Sequence, residues 1–199
     1  MGRNHQYRLT HNHDKSVRQI IQNLIFLIDG QAQFSLESLP KEAEGDFYLQ
    51  QVLSAWQALQ QGRYEESAGL FHRILKQLRP DLFPILYGQV WHLYSRCLDR
   101  LGQREAAVSA LLLALDVYRQ HSWSSLEGKA LPELIRLFLL LRDWHGAIHY
   151  LQYGLSTRHV ELSRKQKIKA IRILCRLYKK TGKTSEMLFF EQQLRVMTS

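Results

Sequence analysis

The 199-residue sequence predicts an all-α chain, built as antiparallel helix pairs behind an N-terminal capping helix. Three observations predict it. Gly62, Gly102 and Gly182 stand 40 and 80 residues apart, and the vacant place in that series falls on Arg142. On both sides of each of these positions apolar residues recur three and four apart, the spacing of one helix face. With 11 Gly and 4 Pro the chain is short of turn formers, while 45% hydrophobic content is enough to bury a core.

The elements follow in order. Residues 1–13 are expected to be a loose tail. Residues 14–45 hold the capping helix and a linker: Asp14 or Ser16 is a fair N-cap, Val17, Ile20, Ile21, Leu24, Ile25 and Ile28 follow at helical spacing, and Gly30 is a natural stop. That apolar face is too wide for water, so the helix is expected to pack on the first pair. Residues 46–199 divide into four pairs, at about 46–81, 82–121, 122–161 and 162–199, each turning at its break.

The apolar columns line up around the breaks. Trp91, Leu131 and Ile171 share one phase before them, Tyr94, Leu134 and Leu174 a second, and Leu98, Phe138 and Tyr178 a third. After the break, small residues Ala107 and Ala147 recur with Leu111 and Leu151 four later, then Ala114 and Gly154, then Leu115 and Leu155. A small side chain in phase with a large one lets the second helix close onto the first. The first copy follows the pattern with Ser67, Phe71, Ile74 and Leu75, while the last departs from it with Met187, Glu191, Leu194 and Arg195, as terminal repeats do where one face meets water.

The Gly-centred turn, followed by Tyr64 or Trp144, then Ala, then Phe or Leu, then Ala or Gly, resembles the tetratricopeptide repeat (TPR) in an extended form about six residues longer than the common one. The family's proline at the end of the second helix has a counterpart only in Pro80, one place late. The resemblance implies a right-handed superhelix of helix pairs, a TPR-like α-solenoid, whose first helices line a concave surface.

Catalytic signatures fail. Gly182-Lys183-Thr184 has the last letters of a phosphate-binding loop, but Leu177 occupies the place of its first glycine and a helix precedes it. His11 with His13, and His145 with His149, lack Cys or acidic companions at ligand spacing, so no metal is expected. Cys97 and Cys175, the only two cysteines, fall among apolar neighbours and read as inert thiols of a reducing, cytoplasmic compartment. No enzyme and no cofactor is expected, and no apolar run is long enough for a membrane.

The charge is informative once located. The formal net charge is +9, and residues 161–199 alone carry ten cations against three acids. Lys165, Lys169, Arg172, Arg176, Lys180 and Lys183 step by three and four, which draws one cationic stripe along one helix opposite Ile171, Leu174 and Tyr178. The resemblance adds Gln89, His92, Arg96 and Arg100 in the second copy, Lys129 and Arg136 in the third, and Lys179 in the fourth as residues facing the concave surface. Arg96, Arg136 and Arg176 stand 40 apart as a ladder of guanidinium groups.

The expected function is a protein–protein adaptor or regulator whose basic groove binds an acidic or extended segment of a partner, with carboxylates meeting Arg and Lys. A nucleic-acid-associated or transcription-regulatory module using the same basic helix is the rival, although the stripe has no aromatics for base stacking. A secretion-type chaperone is a third reading; compact chaperones of that kind are generally acidic, unlike this chain. Met187, Leu188, Phe189 and Phe190 offer a further route, a homodimer through the last repeat.

Overall fold

The computed structural model describes residues 47–157 and 162–198. They form α1 (Phe47–Gln60), α2 (Tyr64–Gln77), α3 (Pro84–Arg100), α4 (Arg104–Gln120), α5 (Ser124–Leu140), α6 (Trp144–Ser156), α7 (Arg164–Lys180) and α8 (Thr184–Thr198), with no strand among the described residues. The expected tail, capping helix and linker, with His11 and His13, lie outside them. The chain divides after Gln103 into two compact units, one holding α1–α3 and the other α4–α8.

One turn sets most of the helix ends. Gly62, Gly102 and Gly182 have φ of 75°, 76° and 72°, and Ser122 and Arg142 adopt the same left-handed conformation at 55° and 58°. After each, the next amide (Arg63, Gln103, Trp123, Asp143, Lys183) donates to the carbonyl five residues back, on Ala58, Leu98, Tyr118, Phe138 and Tyr178, at 2.8–2.9 Å. This is the Schellman arrangement, which satisfies carbonyls that a helix end would otherwise leave without partners. All five of those acceptor residues are buried, so each turn is pinned to the core by the side chain that starts it. The periodicity marks this turn every 40 residues; the structure places it also at Ser122, so the link between pairs is built like the hairpin within a pair.

In the first unit, Val52, Ala55 and Trp56 of α1, Phe71 and Ile74 of α2, and Leu86, Val90, Leu93 and Cys97 of α3 close one core. Each large apolar side chain among them contributes about 1.5–3 kcal/mol by leaving water. The small Ser67 lies fully buried there, its hydroxyl donating to the Ala55 carbonyl at 2.6 Å and lying 3.2 Å from Cys97 Sγ. α3 is enclosed around most of its circumference, with Leu86, Gly88, Gln89, Val90, His92, Leu93, Ser95, Cys97 and Leu98 all buried.

In the second unit the predicted columns become the core except at Leu155, which is half-buried: Ala107, Leu111, Ala114 and Leu115 of α4, Leu131, Leu134 and Phe138 of α5, Ala147, Leu151 and Gly154 of α6, and Ile171, Leu174 and Tyr178 of α7 are buried. Pro132 sits inside α5 without ending it, because the buried stripe Leu126, Ala130, Leu134 and Leu137 continues through it. A polar cluster joins three helices here. Glu127 of α5, almost fully buried, accepts from Arg119 Nε of α4 at 3.0 Å and from the Tyr153 hydroxyl of α6 at 2.5 Å. The Arg119 guanidinium lies 4.2 Å from the Tyr153 ring centre, which adds a cation–π contact.

Candidate partner-binding surface

α7 is the element on which the cationic side chains gather, and its local sequence explains why it holds as a helix. Ser163 caps it: its hydroxyl accepts from the Gln166 amide at 3.3 Å while the Gln166 side chain accepts from the Ser163 amide at 2.8 Å, a complete capping box. Ile171, Leu174, Leu177 and Tyr178 are buried, and Tyr178 stacks on Phe190 of α8 with ring centres 5.7 Å apart. Opposite them, Lys165, Lys169, Arg172, Arg176, Lys179 and Lys180 are exposed. Like charges three and four apart cost roughly 0.2–0.5 kcal/mol per pair, a loss that the buried side of α7 offsets.

Among the described residues no carboxylate lies within ion-pair distance of Lys165, Lys169, Arg172, Arg176 or Lys179. Lys180 differs from them: its ammonium lies 3.9 Å from the ring centre of Trp144, at the start of α6, so this cation leans along the protein surface. Arg164, at the first turn, is also engaged, two of its guanidinium nitrogens donating to the Met197 carbonyl at the end of α8.

The other expected contact residues are distributed unevenly. In the second unit Arg136 is exposed and Lys129 half-buried, both on α5. In the first unit Arg100 is exposed at the last position of α3 and Arg96 is half-buried. His92 and Gln89 correct the sequence reading: both are 0% exposed, so neither side chain is offered to a partner. Their helix is covered on nearly all sides, and a polar residue in mid-helix does not by itself reveal which side meets water. Gln89 holds this position at a cost, since neither end of its buried amide finds a hydrogen-bond partner.

The remaining reactive groups are quiet. Burial pushes the Cys97 thiol above its ordinary pKa, with the Ser67 hydrogen bond pulling the other way, and burial with the nearby Glu191 raises that of Cys175. Gly182-Lys183-Thr184 is a helix-to-helix turn following α7, where a phosphate loop needs a strand. His149 packs edge-on against Tyr150, and no group of three His, Cys, Asp or Glu suited to a metal occurs among the described residues. No helix among them is long and apolar enough to cross a membrane.

This arrangement of paired helices, with small residues where helices close and Schellman turns between them, is a TPR-like helical-repeat fold. It is similar to two crystal structures of a Podosopora anserina protein described as a kinesin light chain with nearly identical TPR-like repeats. One superimposes with a TM-score of 0.58 at 18% identity, covering 98% of this chain and 92% of that one. The other, a point variant of the same protein, gives 0.57 at 19% identity, covering 97% and 92%. No family model and no curated protein sequence matches the chain.

Proposed function

We propose that the protein is a protein-binding module whose ligand is an acidic segment of a partner, held on the exposed cationic side of α7 with Arg136 and Lys129 of the same unit. The observation that carries this is the row Lys165, Lys169, Arg172, Arg176 and Lys179: five exposed cations on one helix, with no carboxylate paired to them among the described residues. Unpaired like charges destabilise the helix that carries them, and a ligand supplying carboxylates relieves that repulsion while forming charge-assisted hydrogen bonds. Arg172 and Arg176, one turn apart, suit two successive carboxylates through their guanidinium forks. The TPR-like fold supports the reading, since helical repeats of this kind commonly serve as surfaces for other proteins.

The test compares wild type with an Arg172→Glu/Arg176→Glu variant and with Arg136→Glu, in anisotropy titrations against a glutamate-rich peptide and a single-stranded oligonucleotide of equal charge. Preference for the peptide, weakened at least about tenfold in the double variant, supports the proposal. Preference for the oligonucleotide, with log K falling by about 0.7 per phosphate neutralised as log salt rises, replaces it by the nucleic-acid reading. Binding of neither makes the row a solvated surface.

A further inference from the structure

On the other side of α7 the surface changes character. α6, α7 and α8 enclose an open groove of about 580 Å³, floored by Leu155, Ile171, Phe189, Phe190 and Met197. A second groove along α8 continues from it, sharing Phe189 and Met197 and ending at Val196. α8 has no buried residue over its whole length. Leu188, Phe189 and Val196 are 57%, 56% and 72% exposed, a far larger apolar surface than a helix exposes when only one of its sides needs water.

The charge inside the grooves is positive, with Glu186 standing one turn before Phe189 and Phe190 at the start of α8. Lys167 lines the first groove, Arg195 stands beside Val196 on α8, and neither groove is lined by a carboxylate. Lys167 stands on the α7 side that carries Ile171, four residues on, and not on the side of Arg172 and Arg176. The strip is therefore separate from the cationic row. Phe189, Gln193 and Val196 repeat at helical spacing, so the strip is one helix wide.

We propose that this strip is a second docking site, and that its occupant is an amphipathic helix of a partner protein carrying apolar anchors on one side and carboxylates beside them. The anchors enter the groove between Ile171, Phe189 and Met197, and the carboxylates meet Lys167 and Arg195. Charge selects this occupant over a second copy of the chain. Lys167 lines the first groove and Arg195 flanks the strip on every copy, with no carboxylate lining either groove, so laying two strips against one another brings these like charges together.

The experiment uses the full chain and fluorescent synthetic peptides of the length of α8, with Leu at helical spacing in several registers and Glu on the flanks. Matching peptides carry Lys in place of Glu, or the same residues in shuffled order. The expected result is saturable binding of at least one Glu peptide, about tenfold weaker for its Lys and shuffled forms. Phe189→Glu and Lys167→Glu each weaken it at least as much, while Arg172→Glu/Arg176→Glu leaves it unchanged. Circular dichroism of the variants confirms that they fold, which is expected because Phe189 and Lys167 are exposed. Four outcomes overturn the proposal: no Glu peptide binds; Lys and Glu peptides bind alike; only the Arg172→Glu/Arg176→Glu variant loses binding; or sedimentation shows a wild-type dimer that Phe189→Glu dissociates. Because Lys167 on α7 and Phe189 on α8 both lie away from the α7 side that carries Arg172 and Arg176, failure here leaves the acidic-segment surface untouched, and its failure leaves this site standing.

Discussion

Arg142→Gly should stabilise the second unit. Arg142 holds φ of 58° at the turn between α5 and α6, where three of the other four turns of this kind use glycine. A side chain in the left-handed region costs about 1–2 kcal/mol, because Cβ crowds the following carbonyl oxygen. Glycine removes that cost but gives back about 0.5–1 kcal/mol through its greater freedom in the unfolded chain. The Arg142 side chain is exposed and takes part in no ion pair among the described residues, so little else is lost. The net gain is therefore about 0.5–1 kcal/mol, which for a unit of this size raises the melting temperature by roughly 2–8 °C. Gly182→Ala is the mirror experiment: a methyl group there meets nothing within 4 Å, so the loss, of similar size, is conformational alone. Urea unfolding followed by circular dichroism reads both variants. If Arg142→Gly is neutral or destabilising while Gly182→Ala costs the expected amount, the left-handed strain assigned to Arg142 is wrong.

Two other perturbations probe the interior. Glu127→Gln removes the charge that Arg119 and Tyr153 share and should destabilise the second unit by about 1.5–3 kcal/mol, read as a lower urea midpoint at unchanged slope; an unchanged midpoint would mean that the cluster contributes no net stability. Alkylation of the native protein at neutral pH should be slow at both cysteines, with half-buried Cys175 modified before fully buried Cys97, because burial holds both thiols protonated and only the former can be reached. Mass spectrometry of partially modified protein checks the order, and modification of Cys97 first would contradict the Ser67–Cys97 packing.

The helical pairs are legible because two periods coincide in the residues: apolar side chains at three and four, and glycine at forty. Leu131, Leu134, Ile171 and Leu174 belong to a buried face on spacing alone. Ser122 does not announce a left-handed turn, because serine carries no conformational signature there; its position twenty residues from Gly102 and Arg142 is the available signal. The α7 row is readable because charge and helical spacing agree along the whole helix without an acid. His92 and Gln89 mislead for a different reason: whether a mid-helix residue faces outward depends on which other helices cover it, and α3 is covered on almost every side. The apolar side of α8 is visible as the run Met187 to Phe190, but whether such a run closes a core or remains open depends on packing. Only the structure separates Phe190, stacked on Tyr178, from exposed Phe189.

The common turn at Ser122, Arg142 and Gly182 also constrains how a chain like this can change length. Each turn sends the backbone back the way it came, so loss of a single helix with its turn would reverse the direction of every helix after it and point its capped ends the wrong way. Loss or gain of two restores the direction and joins one helix end to another of the same geometry. Between helix ends that close on this turn, length is therefore quantised: forty residues can be added or removed with the direction of every later helix kept, whereas twenty cannot.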